Sequence, residues 1–206
     1  MSAESIIVQQ PAGAASRLVL LLHGVGSVAP SMLGVARWFA ARDPQAFVVS
    51  VAGQDASDIS NGRQWFSVRE VTTENRQGRV DAAMPRFEAM VREWQDRAGV
   101  SAQDTWLVGF SQGAIMALEA TKRASPVAGH VVAMAGRYAS LPNEAPSAVV
   151  HLLHGVADPV IPLADGVAAF DRLTQLGATV TLDRGPGIGH EPHPALLQAL
   201  APRLAA

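Results

Sequence analysis

Apolar residues along this chain gather in short unbroken runs and do not alternate with polar ones. The runs are Leu18 to Leu22, Phe47 to Val51, Thr105 to Phe110, His130 to Met134, Ala148 to Leu153 and Thr179 to Leu182. Unbroken runs of this length predict strands covered on both faces. Between them the spacing turns helical over Met32 to Arg42, Arg79 to Ala98, Gln112 to Ala124 and Leu163 to Leu176, the last closed by Gly177 as a C-cap. A final helix is expected from Pro194, suited to a first helical position, to Leu204. Pro85 falls inside the Arg79 to Ala98 pattern and should kink that helix or delay its start.

Strand and helix alternate, so the expected architecture is α/β: a mostly parallel sheet with helices on both faces. Neither a composition shift nor a repeat divides residues 1–206, which read as a single domain. The stretch Ala52 to Gly78 is polar except for Trp65-Phe66. Loops of that length in a compact domain are usually functional or disordered, and the aromatic pair favours function.

Composition narrows the chemistry. Apolar residues make up 49% of the chain and charged ones 17%, enough for a packed core. A net charge of -2 with no like-charge block offers no footprint for nucleic acid or for stable membrane association. Cysteine is absent, which excludes disulfides, thiolate metal sites and a cysteine nucleophile. No basic cluster leads into a long apolar stretch near Met1, so a cytoplasmic location is expected.

The chemistry-bearing motif is Gly109-Phe110-Ser111-Gln112-Gly113, which fits G-x-S-x-G between an expected strand and an expected helix. In that setting the serine sits on a tight elbow, and the glycines leave room for it. The first helical turn offers unpaired N–H groups beside Ser111, so the Gln112 N–H is placed to stabilise an oxyanion. A second donor is expected from the glycine-rich turn Leu22-His23-Gly24-Val25-Gly26, through the Val25 N–H.

A serine hydroxyl needs a base, and in this arrangement the acid and then the histidine follow the serine in the chain. His130 and His151 fall in strands and read as core or edge residues, whereas His154 ends its strand and could line the site. His190 and His193 follow the last strand, and His190 is the expected base, because His193 precedes Pro194 and suits a helix N-cap. The expected acid is Asp158, in the loop His154-Gly155-Val156-Ala157-Asp158-Pro159, with Asp165 and Asp171 on a helix and Asp183 at a strand end.

With these residues in hand the chain resembles the phospholipase/carboxylesterase family, relatives of the acyl-protein thioesterases, and most closely its bacterial YpfH-type esterases. The resemblance rests on Leu21-Leu22-His23-Gly24-Val25-Gly26, Gly62-Arg63-Gln64-Trp65-Phe66-Ser67, Gly109-Phe110-Ser111-Gln112-Gly113-Ala114, His154 to Pro162 and Gly189-His190. It implies an α/β-hydrolase fold, a catalytic triad of Ser111, Asp158 and His190, and backbone oxyanion donors at Val25 and Gln112. The activity it implies is hydrolysis of small carboxylic or thio esters without a cofactor. Two departures stand out: Ser67, where many members carry Asp, and Ala135-Gly136-Arg137-Tyr138, where a Ser-Gly pair is usual.

Because 206 residues leave no segment for a cap, the acyl pocket should be shallow and suit short- to medium-chain esters, with Trp65 and Phe66 as its apolar surface. An acyl thioesterase or lysophospholipase is the runner-up, and a catalytically inactive binding protein of the same fold is the alternative of another class. A metal site fits poorly: His151 and His154 are three apart on a strand and face opposite sides, and no H-E-x-x-H occurs. A homodimer is left open.

Overall fold

The computed structural model of the protein describes residues 4–204. Along the chain run β1 (Ile6–Gln9), β2 (Arg17–Leu22), α1 (Leu33–Ala40), β3 (Ala46–Val51), the two-residue strands β4 (Asp55–Ala56) and β5 (Arg63–Gln64), and α2 (Thr73–Ala98). Then follow β6 (Thr105–Phe110), α3 (Gln112–Ala120), β7 (His130–Met134), β8 (Val149–Gly155), α4 (Leu163–Gln175), β9 (Val180–Gly185) and α5 (Pro194–Leu200). Seven strands form one sheet in the order β1-β3-β2-β6-β7-β8-β9. Only β1 runs antiparallel, against β3; the other neighbours are parallel, so six strands end on the same edge.

The unbroken apolar runs follow from burial on both faces. Leu18, Leu20 and Leu22 of β2 join one core with Val80, Met84 and Phe87 of α2, most of α3, and Ala169 and Leu173 of α4. Val19 and Leu21 point the other way, into a second core with Val35 and Phe39 of α1 and Leu196, Leu197 and Leu200 of α5. Every residue of α3 is buried, as befits a helix apolar nearly all round.

Several boundaries differ from the expectation. Strand β1 has no counterpart in it: four half-buried residues at the sheet edge, with an irregular register between Ile7 and Gln9, leave little pattern to read. Helix α2 starts at Thr73, six residues before Arg79, because Thr72 and Asn75 close a reciprocal capping box ahead of the apolar stripe. Pro85 lies inside α2 on its exposed side, where the Asp81 carbonyl deprived of its helical donor can face water. Helix α3 stops at Ala120, where the Thr121 hydroxyl turns back to the Leu118 carbonyl. Helix α5 gives way to a tighter 3-10 turn at Ala201, the residue before Pro202. The stretch after Ala52 is no open loop, since β4 and β5 pair as a small hairpin and α2 claims its end. None of the helices among the described residues is long and apolar enough to cross a membrane.

Candidate active site

The loops that leave the common edge of β2, β6, β8 and β9 carry the polar groups singled out from the sequence, where open α/β sheets place their ligands. Ser111 follows β6 directly with φ 52° and ψ −116°, a left-handed backbone that a non-glycine residue keeps only when its surroundings hold it. The flanking glycines show why the turn closes. A Cβ on Gly109 would lie 2.4 Å from the Ala114 nitrogen, and one on Gly113 would lie 2.2 Å from the Leu22 carbonyl oxygen. The Ser111 N–H donates to Met134 O at 3.0 Å, and Ser111 O accepts from Ile115 N–H at 3.0 Å. The elbow is thus pinned by both β7 and α3.

Beside it the loop after β9 presents His190. The Ser111 Oγ–H faces His190 Nε2 at 2.9 Å, and His190 Nδ1–H donates to Asp158 Oδ2 at 2.7 Å. With a carboxylate accepting at Nδ1, the neutral ring carries its proton there and leaves Nε2 free to accept. The Asp158 side chain is wholly buried. Burial pushes its pKa up, but the bond from His190 and the N–H groups of Ile161 and Val160 outweigh this and hold it below the ordinary carboxylate value. The ring of Phe110 packs 4.9 Å from the His190 ring and restricts its swing.

The turn after β2 packs on the serine: a Cβ on Gly24 would come within 3.2 Å of Ser111 Cβ. Among the described residues the Val25 and Gln112 N–H groups donate to no protein acceptor, so both remain available to a ligand. The hairpin strand β5 clamps this turn, with Gly26 N–H donating to Arg63 O, Arg63 N–H to Ser27 O and Ser60 Oγ–H to Gly26 O.

Trp65 and Phe66 are not where a substrate surface was expected. They are 1% and 4% exposed and belong to the core. The Trp65 indole N–H donates to His23 O, its ring packs edge-on to Phe87, and the Gln112 side chain accepts from Trp65 N–H while donating to Phe66 O. The pair anchors its loop to the elbow, and its assignment as acyl-contacting surface gives way to that role. Ser67 donates its hydroxyl to Asp58 Oδ2 at 2.6 Å, so Asp58 places a carboxylate directly beside position 67. Asp58 also accepts from Val68 N–H, which ties the exposed Ile59-Ser60 tip to the start of the α2 approach.

The remaining histidines do other work. His154 is buried and donates from Nε2 to Ile161 O, bracing the loop that carries Asp158 without reaching Ser111. His193 accepts from Ala195 N–H as the N-cap of α5. His130 and His151 lie toward the opposite end of the strands and stack on Trp106. In the Ala135 to Tyr138 segment, Ala135 is left-handed, Gly136 packs against Ala114, and Arg137 pairs with Asp165.

A family model described as Phospholipase/Carboxylesterase matches residues 3–206. The chain belongs to that family. The esterase YpfH of Escherichia coli (strain K12) is 50% identical over 191 residues, spanning 92% of this chain and 82% of the relative. The crystal structure of esterase PE8 superposes with a TM-score of 0.86 at 27% identity, covering 98% of this chain and 97% of that one. The carboxylesterase of Bacillus cereus superposes at 0.79 with 18% identity, over 95% and 90% of the two chains, a likeness of fold. The sheet and its helices are those of an α/β hydrolase.

Proposed function

We propose that the protein is a serine carboxylesterase that hydrolyses carboxylic esters through an acyl-enzyme on Ser111. The observation that carries this reading is the continuous relay Ser111 Oγ, His190 Nε2, His190 Nδ1, Asp158 Oδ2, with links of 2.9 and 2.7 Å. As Ser111 Oγ attacks the ester carbonyl, its proton passes to His190 Nε2, and Asp158 stabilises the imidazolium. The carbonyl oxygen gains negative charge, for which the Val25 and Gln112 N–H groups are the donors. His190 then protonates the departing alkoxide, and the alcohol leaves. Water enters, gives a proton to His190, attacks the acyl carbon and frees the carboxylic acid, with the proton returned to Ser111. Each step uses groups of this chain, the ester and one water.

Short- to medium-chain acyl groups suit the site best. With Trp65 and Phe66 in the core, the exposed apolar side chains nearest these residues in the chain are Ile59, against Gly26, and Val156 and Val160, each two residues from Asp158. A small-molecule ester handled in the cytoplasm by a single-domain enzyme completes the reading. Steady-state hydrolysis of p-nitrophenyl esters from acetate to palmitate, below micelle formation, tests it. Each buried methylene favours binding by about 0.8 kcal/mol, so a shallow rim should give a kcat/KM that plateaus by the octanoate. A value still climbing beyond it would favour the long-chain thioesterase or lysophospholipase reading, and no ester turnover at all would end the proposal.

A further inference from the structure

His23 sits in the turn that packs on Ser111, yet nothing in the acyl-transfer steps uses its ring. It is fully buried, and both ring nitrogens have partners. Nδ1 lies 2.8 Å from the Gly24 carbonyl oxygen, and the Gly53 N–H lies 2.9 Å from Nε2. A carbonyl only accepts and a backbone N–H only donates, so the pair of contacts fixes one neutral tautomer, with the proton on Nδ1. The Gly24 carbonyl and the Val25 N–H belong to one peptide unit. That unit is planar, so the direction of its C=O sets the direction of its N–H.

We infer that His23 is a positioning residue for the oxyanion site: by holding the Gly24 carbonyl, its Nδ1–H aims the Val25 N–H at the developing oxyanion. Glycine at 24 leaves the backbone free to turn, which gives a restraint on its carbonyl an effect, and it suits the position because a Cβ would lie 3.2 Å from Ser111 Cβ and 3.4 Å from Phe110 Cδ1. The other end of the turn is already secured by Ser60 and Arg63 on Gly26 and Ser27. The Gly24 carbonyl also accepts from Ser27 N–H at 3.2 Å, so the His23 Nδ1–H, at 2.8 Å, is the shorter of the two bonds that hold the Gly24–Val25 peptide and the one made by a side chain. The Gly53 N–H in turn keeps the His23 ring in the tautomer that can donate.

This inference rests on the esterase reading, and the test separates the two. Ser111→Ala, assayed in parallel, reports on that reading alone. For His23, three variants are compared: Ala removes both ring contacts, Asn places a donor near the Nδ1 position, and Gln places an acceptor near the Nε2 position. Loss of one oxyanion donor costs about 10²–10³ in kcat. His23→Ala and His23→Gln should therefore lose kcat by about that factor with KM moved less than about threefold, while His23→Asn recovers to within about tenfold of the parent. Affinity for an aryl trifluoromethyl ketone, which places an oxyanion in the site, should fall with kcat across the series. A residue that merely fills space would move the melting temperature without this donor-specific rescue. If His23→Ala does not fold, the Asn and Gln pair still decides. The inference is overturned if folded His23→Ala keeps kcat, if Asn loses as much as Gln, or if none of the three variants folds.

Discussion

The loop after β9 carries two imidazoles three residues apart, and their partners assign them different work. His190 touches both Ser111 and Asp158, whereas His193 only receives the Ala195 N–H at the start of α5. His190→Ala should therefore depress kcat/KM nearly as far as loss of Ser111, because the members of a triad act as a unit. His193→Ala should keep most of the activity and cost about 1 kcal/mol of stability through the lost cap. An inactive, folded His193 variant beside an active His190 variant would reverse the assignment. Asp158 allows a finer test, since an amide oxygen at 158 can still accept the Val160 and Ile161 N–H bonds. Asp158→Asn should lose roughly 10⁴-fold in kcat with little change in melting temperature, because the ring loses the charge that fixes its tautomer and stabilises the imidazolium. A loss under tenfold would show that the carboxylate does not serve His190.

At the scale of the element, what could be read in advance is what local pattern dictates. Strands β2, β3, β6, β7 and β8 announce themselves because two-sided burial leaves no polar interruptions, and α4 because its stripe ends at Gly177, which does adopt a left-handed φ of 79°. The meeting of Ser111, Asp158 and His190 was legible because each residue type had to follow a strand in a set order. The edge strand β1 was not, since its few residues bury too little to leave a signature. The fate of Trp65 and Phe66 was hidden for a different reason: whether a loop aromatic faces substrate or core depends on what packs against it, here Phe87 of α2 and the side chain of Gln112. The Asp58–Ser67 bond likewise joins residues nine apart through a hairpin with no sequence signal beyond turn residues. The capping box of α2 was present as Thr72 and Asn75, though Asn replaces the usual Glu or Gln. Thr72→Ala should cost about 1 kcal/mol, a fall of about 2–4 °C in melting temperature, and leave ester kcat/KM as it is. Differential scanning calorimetry with parallel kinetics checks both halves, and an unchanged melting temperature would remove the cap from the account.

Across the whole molecule the candidate active site occupies one end of the sheet and a second titratable group the other. His151 is buried with Nδ1 against the Thr181 hydroxyl; burial, then Arg203 and His130, press its pKa from 6.5 to about 4, against the pull of Asp183. His130, stacked on Trp106, is lowered in the same direction, first by burial and then by Arg17, with Asp104 opposing. In the unfolded chain both rings take up protons near their ordinary value, while the native His151 resists down to about 4. Its contribution is therefore complete above about pH 6.5, shrinks as pH falls toward 4, and shrinks no further below, a total of at most about 3 kcal/mol. The melting temperature should fall across that window, and His151→Gln should flatten the fall; an equal slope in the variant would contradict the assignment.

The central claim is that one serine, Ser111, carries the acyl group, and it is tested most directly by the site of covalent labelling. An alkyl fluorophosphonate incubated with the protein, followed by proteolysis and peptide mass spectrometry, should place a single adduct on Ser111, with stoichiometry approaching one and loss of esterase activity in proportion. Ser111→Ala should take up no label and retain no measurable turnover above background. An adduct on another serine, or full labelling and turnover in Ser111→Ala, would contradict the account.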